Sequence, residues 1–478
     1  MKKGEITIFL ALLLSGVCAL LCVIIESART QAMRLQIEML MDIGLHSCFG
    51  EYHQGLFERY DLLYIDSSYN KTVGNANNVL KHLEQYLEEN LSQDAGKDEE
   101  SGEESAAGRR SSGKKGRAGK REGDWFKLSV ETATAKRYLL ASDFNGHVFR
   151  NQAVRYLKNY GDCSHCSVTE RASDEAAQIK KRDFHDEWDI IQSRIDEYGK
   201  SFYNPADKIK KYSDGDILEL VDGEGAAVLS GLPYQEVPSM RSLQRGRLPN
   251  KPQEMEEAES LFDEYLLQKC ADYTDAYENR ILYCELEYIL YGNPGDRENL
   301  EQAVQEVLQL RESENLSCLL SEKGKCEEAE KISKQLVGAF ELRDLTEAVR
   351  DSIIYAWAYA ESAIEVSRLL SGGRVMVKKQ GKDWILPLEE LSEFCEYMGR
   401  GDGNGLSYEE YLGVFLRWAD ADQKIVRCMD LVEINIRQSK NESFRIDGCV
   451  EYLDAEVLFE SRYGYRYQSR REFGYESQ

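Results

Sequence analysis

The chain has 478 residues, with 85 aspartates and glutamates against 60 lysines and arginines, a formal net charge of −25. Such an acidic balance excludes a nucleic-acid partner, whose phosphates would be repelled; otherwise it reads as solubility. The length is enough for more than one core.

The first predicted element is apolar. Lys2 and Lys3 precede an uncharged run from Ile6 to Ile25 (ITIFLALLLSGVCALLCVII), and charge resumes at Glu26, Arg29 and Arg34. About twenty residues at roughly 1.5 Å rise give about 30 Å, the thickness of a bilayer core. Only a helix satisfies its backbone there. The two lysines keep residues 1–5 cytoplasmic and export the rest. The alternative is a cleaved signal peptide, whose apolar region is shorter and ends in a small-x-small site. Against it, ESARTQAMRLQIEMLMDIGL continues with helical periodicity, with Ala28, Met33, Leu35, Ile37 and Leu40 recurring. A retained anchor over 6–25, with a helical stem over 26–91, fits this pattern better. Within the stem, Ala76–Leu91 is a second helix, with Val79, Leu80, Leu83 and Leu87 at helical spacing.

Residues 92–123 (SQDAGKDEESGEESAAGRRSSGKKGRAGKREG) hold no aromatic and no large aliphatic side chain. They are acidic, then basic, and predict a disordered, solvated linker. From 124 to 478 the pattern predicts one exported α+β domain. Phe126–Glu131 and Lys136–Leu140 read as short strands, Asp143–Gly146 as a turn, and His147–Tyr160 as a helix ended at Gly161. A helix from about Asp186 to Tyr198 and a Gly/Pro-marked loop region, Ser201–Pro252, follow. Leu282–Tyr291 alternates with period two and predicts a strand. Gly292–Gly295 turns the chain, and Asp296 is the expected cap of a helical region reaching Leu370. Its last helix is the most apolar and the expected centre of the core. Ser371, Gly372 and Gly373 end it. Arg374–Lys379 and Trp384–Leu386 resemble a hairpin around Gln380 and Gly381. Helices over Leu388–Met398 and Tyr408–Arg437 precede a tail, Ser443–Gly474, of two antiparallel strands turning near Gly464. The fold class is α+β: a mainly helical body with an antiparallel sheet built from segments distant in sequence.

Of the 12 cysteines, Cys18 and Cys22 fall in the span. The remainder permit disulfides in an exported domain without fixing a pairing, and buried thiols account for them equally well. Cys163, His165 and Cys166 are half a zinc site, with His147 or His185 as further ligands, but a second CxxC is missing. A local disulfide or free thiols suit an exported chain better. Asp402, Asn404 and Gly405 mimic a calcium loop, but that register seats Arg400 as first ligand and Tyr411 as the bidentate twelfth. A glycine-rich turn with Ser407 capping the next helix is the preferred reading. There is no GxSxG and no GxxxxGK[ST], and Gly215, Gly223 and Gly225 make no dinucleotide fingerprint. The pairs Glu285/Glu287 and Glu409/Glu410 carry little weight in so acidic a chain. No catalytic residue and no cofactor are expected.

KKGEITIFLALLL followed by a helical stem resembles the N-termini of TadE/TadG-like proteins of tight-adherence (Flp-type) pilus systems. With ASDFNGHVFRNQAVRYL (141–157), ELEYILYGNPGDRENL (285–300), LSYEEYLGVFL (406–416) and MDLVEINIR (429–437), the chain resembles a narrower family of unknown function, membrane-anchored proteins of Gram-positive anaerobes. The resemblance implies a non-catalytic, single-pass membrane protein that serves as a structural or assembly component of a Tad-like pilus, secretion or cell-envelope system. Its partners would be the bilayer, through residues 6–25, and envelope or pilus-system proteins. In that family context a leader peptidase would cut after Gly4, yet Phe9 stands where a mature pilin carries glutamate, and Glu5 directly follows the glycine. An uncut or minimally cut anchor is therefore expected, with Gly4 and Glu5 the only candidate processing site. The alternative function is a surface module that binds glycan or peptide through Tyr463, Tyr465, Tyr467 and Tyr475.

Overall fold

The computed structural model describes residues 2–70, 73–93, 128–198, 204–221, 231, 236–247, 257–275, 280–338, 343–399, 401–439, 441–461 and 463–475. It is α+β: mostly helical, with one small antiparallel sheet whose strands come from segments far apart in the chain.

The first helix, α1 (Lys2–Phe49), is a single uninterrupted rod of 48 residues. Its two halves have different surroundings. From Ile8 to Ile25 the side chains are exposed, the large aliphatics included. From Met33 onward an apolar stripe, Met33, Ile37, Leu40, Met41, Leu45 and Cys48, is buried at helical spacing. After α2 (Gln54–Tyr60) and the two-residue strand β1 (Ile65–Asp66), helix α3 (Ala76–Gln93) returns along α1. Val79, Leu83 and Leu87 are its buried face. The two helices close at Gly44, where a Cβ would stand 2.9 Å from Leu83 Cδ1 and 3.1 Å from Leu87 Cδ2. Beyond Gln93, the segment expected to be a disordered linker (92–123) lies outside the described residues.

Four strands form the sheet. β2 (Leu128–Leu140) runs through both stretches expected as separate short strands, with register shifts at Val130/Thr132 and Ala135/Arg137 where a break was expected. Phe126 and Lys127 are outside the described residues. β3 (Cys449–Ser461) is central, with β2 along one edge; β4 (Arg466–Gly474) and β1 pair with its other edge. The turn between β3 and β4 is at Gly464 (φ 77°), as expected. One sheet face packs on α1 and α3 through Leu128, Ala135, Val450, Leu453, Val457 and Phe459. The other carries cross-strand charge pairs, with Asp454 between Arg137 and Arg470.

The remaining helices build the second core. They are α4 (His147–Tyr160), α5 (Cys166–Ala177), α6 (Phe184–Glu197), α7 (Ala206–Ser213), α8 (Ile217–Val221), α9 (Ala258–Lys269), α10 (Glu285–Tyr291), α11 (Asp296–Ser321), α12 (Lys323–Val337), α13 (Arg343–Leu370), α14 (Tyr408–Trp418) and α15 (Ala421–Ser439). α4 has the expected bounds, and α13 is indeed the buried axis, packed by α6, α7, α11 and α12.

Five expectations are corrected. Leu282–Tyr291 is not a strand: α10 occupies its C-terminal part. Glu285, Leu286, Glu287, Tyr288 and Ile289 are all buried, so no polar stripe reveals the 3.6 period. Asp296 does not cap its own helix; its carboxylate accepts from the backbone N–H of Tyr283 and Cys284 at 3.0 and 3.1 Å. Residues 374–386 form no hairpin: Val375 bridges Leu406, and 381–383 is a 3-10 turn. The helix expected over Tyr408–Arg437 breaks at Ala419 and Asp420, where Ala419 is extended (ψ 155°). The region expected as loop, 201–252, contains α7 and α8 within its described residues.

Candidate functional site

The apolar half of α1 is long and apolar enough to cross a membrane. What it is joined to defines the site. β4 runs beside the stem in matching direction: Arg29 lies over the ring of Tyr463 at 4.5 Å, Arg471 meets Glu38 and Asp42 at 3.3 and 3.2 Å, and Phe473 packs on His46 and Phe49. Tyr475 closes the series, its hydroxyl donating to the Phe49 carbonyl at 2.6 Å. The last strand of the body is thus fixed to the first helix along some twenty residues of the stem. α3 covers the adjacent side, where Glu84 accepts from the Ala133 N–H at 2.9 Å.

The tail tyrosines divide accordingly. Tyr467 and Tyr475 pack against the stem–sheet core. Tyr463 and Tyr465, 63% and 55% exposed, stand at the hairpin tip beside Arg29, one helical turn past Ile25. Sequence reasoning grouped all four as a binding surface, since their even spacing shares one side of a strand; only the course of β4 along α1 shows that Tyr475 lies at the far end from the tip.

The other residues singled out from sequence are scattered. Cys163 is exposed and Cys166 half-buried, and all 12 cysteines are free thiols. His165 Nδ1 lies 3.1 Å from Glu264 Oε1, His147 Nε2 lies 3.1 Å from Asp422, and His185 Nε2 lies 3.2 Å from Glu312. The three histidines are thus engaged with three different carboxylates, and no group of metal ligands is assembled among the described residues. Asp402 and Asn404 are exposed on a glycine-rich turn. Tyr411, at the twelfth loop position, is fully buried in the core, and Arg400 is outside the described residues. Ser407 caps α14 in a reciprocal box with Glu410. Gly4 and Glu5 lie within α1.

Two buried polar clusters were not anticipated. In the first, Arg311 donates to Glu365 at 2.9 Å and to the carbonyls of Met376 and Val377 at 2.8 and 2.7 Å. Lys379 donates to Glu365 at 2.6 Å and to Glu361. Glu361 in turn accepts from the N–H groups of Ile385 and Leu386 at 2.8 and 2.9 Å. Burial would raise Glu365, but Arg311 and Lys379 overcome it and hold the carboxyl at about 2. The cluster is balanced in charge and fastens segment 374–386 to α11 and α13. In the second, burial and the neighbouring Asp272 push Glu287 up to about 8, with only partial relief from the Tyr273 N–H at 3.1 Å. Asp272 is raised to about 6 and Glu409 to about 7, burial leading in both. Neither cluster presents a nucleophile beside a base in an open cleft.

Fold and site together define a class: an α+β body mounted rigidly on an apolar rod of membrane-spanning length. A family model described as "Family of unknown function (DUF5702)" matches residues 196–461, more than half of the chain. The chain belongs to that family. No curated protein and no solved structure shows significant similarity to it.

Proposed function

We propose that this chain is a non-catalytic, single-pass membrane protein with an exported body, serving as a structural or assembly component of a pilus-type, secretion or cell-envelope system. The observation that carries this reading is the continuity of α1. The same 48-residue helix is exposed and apolar at one end and buried in the stem–sheet core at the other. A signal peptide is a detachable leader. This rod supplies Ile37, Leu40, Met41, Leu45, Cys48 and Phe49 to the fold, so the anchor and the body are one mechanical unit. A stiff connection suits a part that must hold a fixed height and orientation above a bilayer. The hairpin tip agrees with it: Tyr463 and Tyr465 stand at head-group level, where amphipathic rings are favoured. The TadE/TadG-like character of GEITIFLALLL supports the narrower assignment to a Tad-like system.

The test is cross-linking in intact membranes followed by purification of the full-length chain. Recovery of the same envelope or secretion-system protein in stoichiometric yield is the expected result. A chain that cross-links to nothing but lipid would count against an assembly role.

A further inference from the structure

Two helix starts, those of α4 and α9, border one cleft of about 550 Å³. Neither is capped by a side chain: Gly146 precedes α4 and Glu257, at φ 61°, precedes α9. The N–H groups of a first turn lack intrahelical acceptors, and the helix dipole makes that end attractive to anions. The cleft wall adds cations. Arg150 is only 6% exposed, and its Nε has no hydrogen-bond partner. Its side chain bonds, among the described residues, only to Asn151 Oδ1 at 3.3 Å. A buried guanidinium without a counter-charge is strongly disfavoured unless an anion joins it. Arg417 donates only to neutral oxygens among the described residues: Thr169 Oγ1 at 3.4 Å, and the Cys166 carbonyl and Ser260 hydroxyl at 3.1 Å each. Lys424 is matched by Asp263, and His147 by Asp422. Glu257 and Glu259, also lining the cleft, are exposed. Asp263 also lies close enough to Arg417 for that guanidinium to favour its ionised form, so the charge inside that meets no carboxylate is that of Arg150.

We infer that this cleft binds the phosphate group of a small organic anion, with Arg150 and Arg417 as its cationic partners and the first-turn N–H groups of α9 as further donors. The open Nε–H of Arg150, the Nη1 of Arg417 and a helix start suit three acceptor oxygens better than the two of a carboxylate. A cleft of this volume holds more than an inorganic ion, so the phosphate is one end of a larger ligand.

The experiment is calorimetric titration of the detergent-solubilised full-length chain with inorganic phosphate, and separately with acetate, at constant ionic strength. Phosphate should bind saturably and raise the unfolding temperature, with acetate at least tenfold weaker. Arg150→Gln and Arg417→Gln should each weaken phosphate at least tenfold, whereas Arg343→Gln, on an 89% exposed side chain at the start of α13, should not. Arg150→Gln is checked for its far-ultraviolet dichroism; if it fails to fold, the half-buried Arg417 variant decides alone. Absence of saturable phosphate binding, or unchanged affinity in the Arg417 variant, overturns the site. Acetate binding as tight as phosphate overturns the ligand class.

Discussion

Single side chains in this molecule matter most where charge is buried. Lys379 sits between Glu361 and Glu365, all three out of solvent. Replacing it with methionine leaves two carboxylates facing one guanidinium, which should cost about 3–5 kcal/mol in urea denaturation at pH 7. A loss under about 1 kcal/mol would show that the cluster relaxes by taking up water. Glu287 makes the opposite prediction. Its folded pKa of about 8 lies above the ordinary 4.5. The folded state therefore keeps a proton that the unfolded chain releases. The resulting stability is complete below about pH 4.5 and is lost as pH rises through about 8. Asp272 and Glu409 slope the same way, so the comparison must be with a variant. Glu287→Gln should have a flatter stability profile between pH 5 and 8 and exceed the wild type at pH 8 by roughly 1–3 kcal/mol. Parallel profiles would refute the assignment of that slope to Glu287.

At the scale of elements, the glycine-rich turn before α14 is fixed by backbone rather than by an ion. Gly405 has φ 118°, and a Cβ there would stand 2.3 Å from the Val375 carbonyl that pairs with Leu406. Gly405→Ala should cost at least about 2 kcal/mol, whereas Ser407→Ala, which removes only the cap of α14, should cost about 1 kcal/mol. Equal costs in thermal or chemical unfolding would contradict this division. The same elements explain what was legible in sequence. α3 could be read from its apolar face, and α4 and α13 from their apolar spacing and a clear stop, Gly161 or Gly372. β3 and β4 could be read because alternation survives where one sheet face meets water. α10 was hidden, because a short helix buried on every side, its Glu285 held by Arg280, Asn435 and the Ala271 N–H and its Glu287 buried too, carries no stripe. The 374–386 segment was hidden for a related reason: its shape is set by Arg311, Glu361 and Glu365, which come from other helices. The cleft of Arg150 and Arg417 joins residues far apart in the chain, and no spacing rule reaches across that distance.

For the molecule as a whole, the apolar helix of membrane-spanning length was legible from its first residues, since a long uncharged run needs no tertiary context. The attachment was not: only the paired course of α1 and β4 shows that the rod belongs to the body's core. A chain lacking residues 2–49 should therefore lose more than its anchor. It should expose the apolar face of Leu453, Val457 and Phe459 and aggregate, whereas one lacking only 2–25 should remain folded and soluble. The measurement that tests the central claim most directly is labelling of Cys163, an exposed thiol of the body, with a membrane-impermeant maleimide on intact cells. The account predicts that the full-length chain, recovered in the membrane pellet, carries the label at Cys163 without lysis. Label that appears only after lysis, or a labelled chain released in soluble form without its first twenty-five residues, would contradict it.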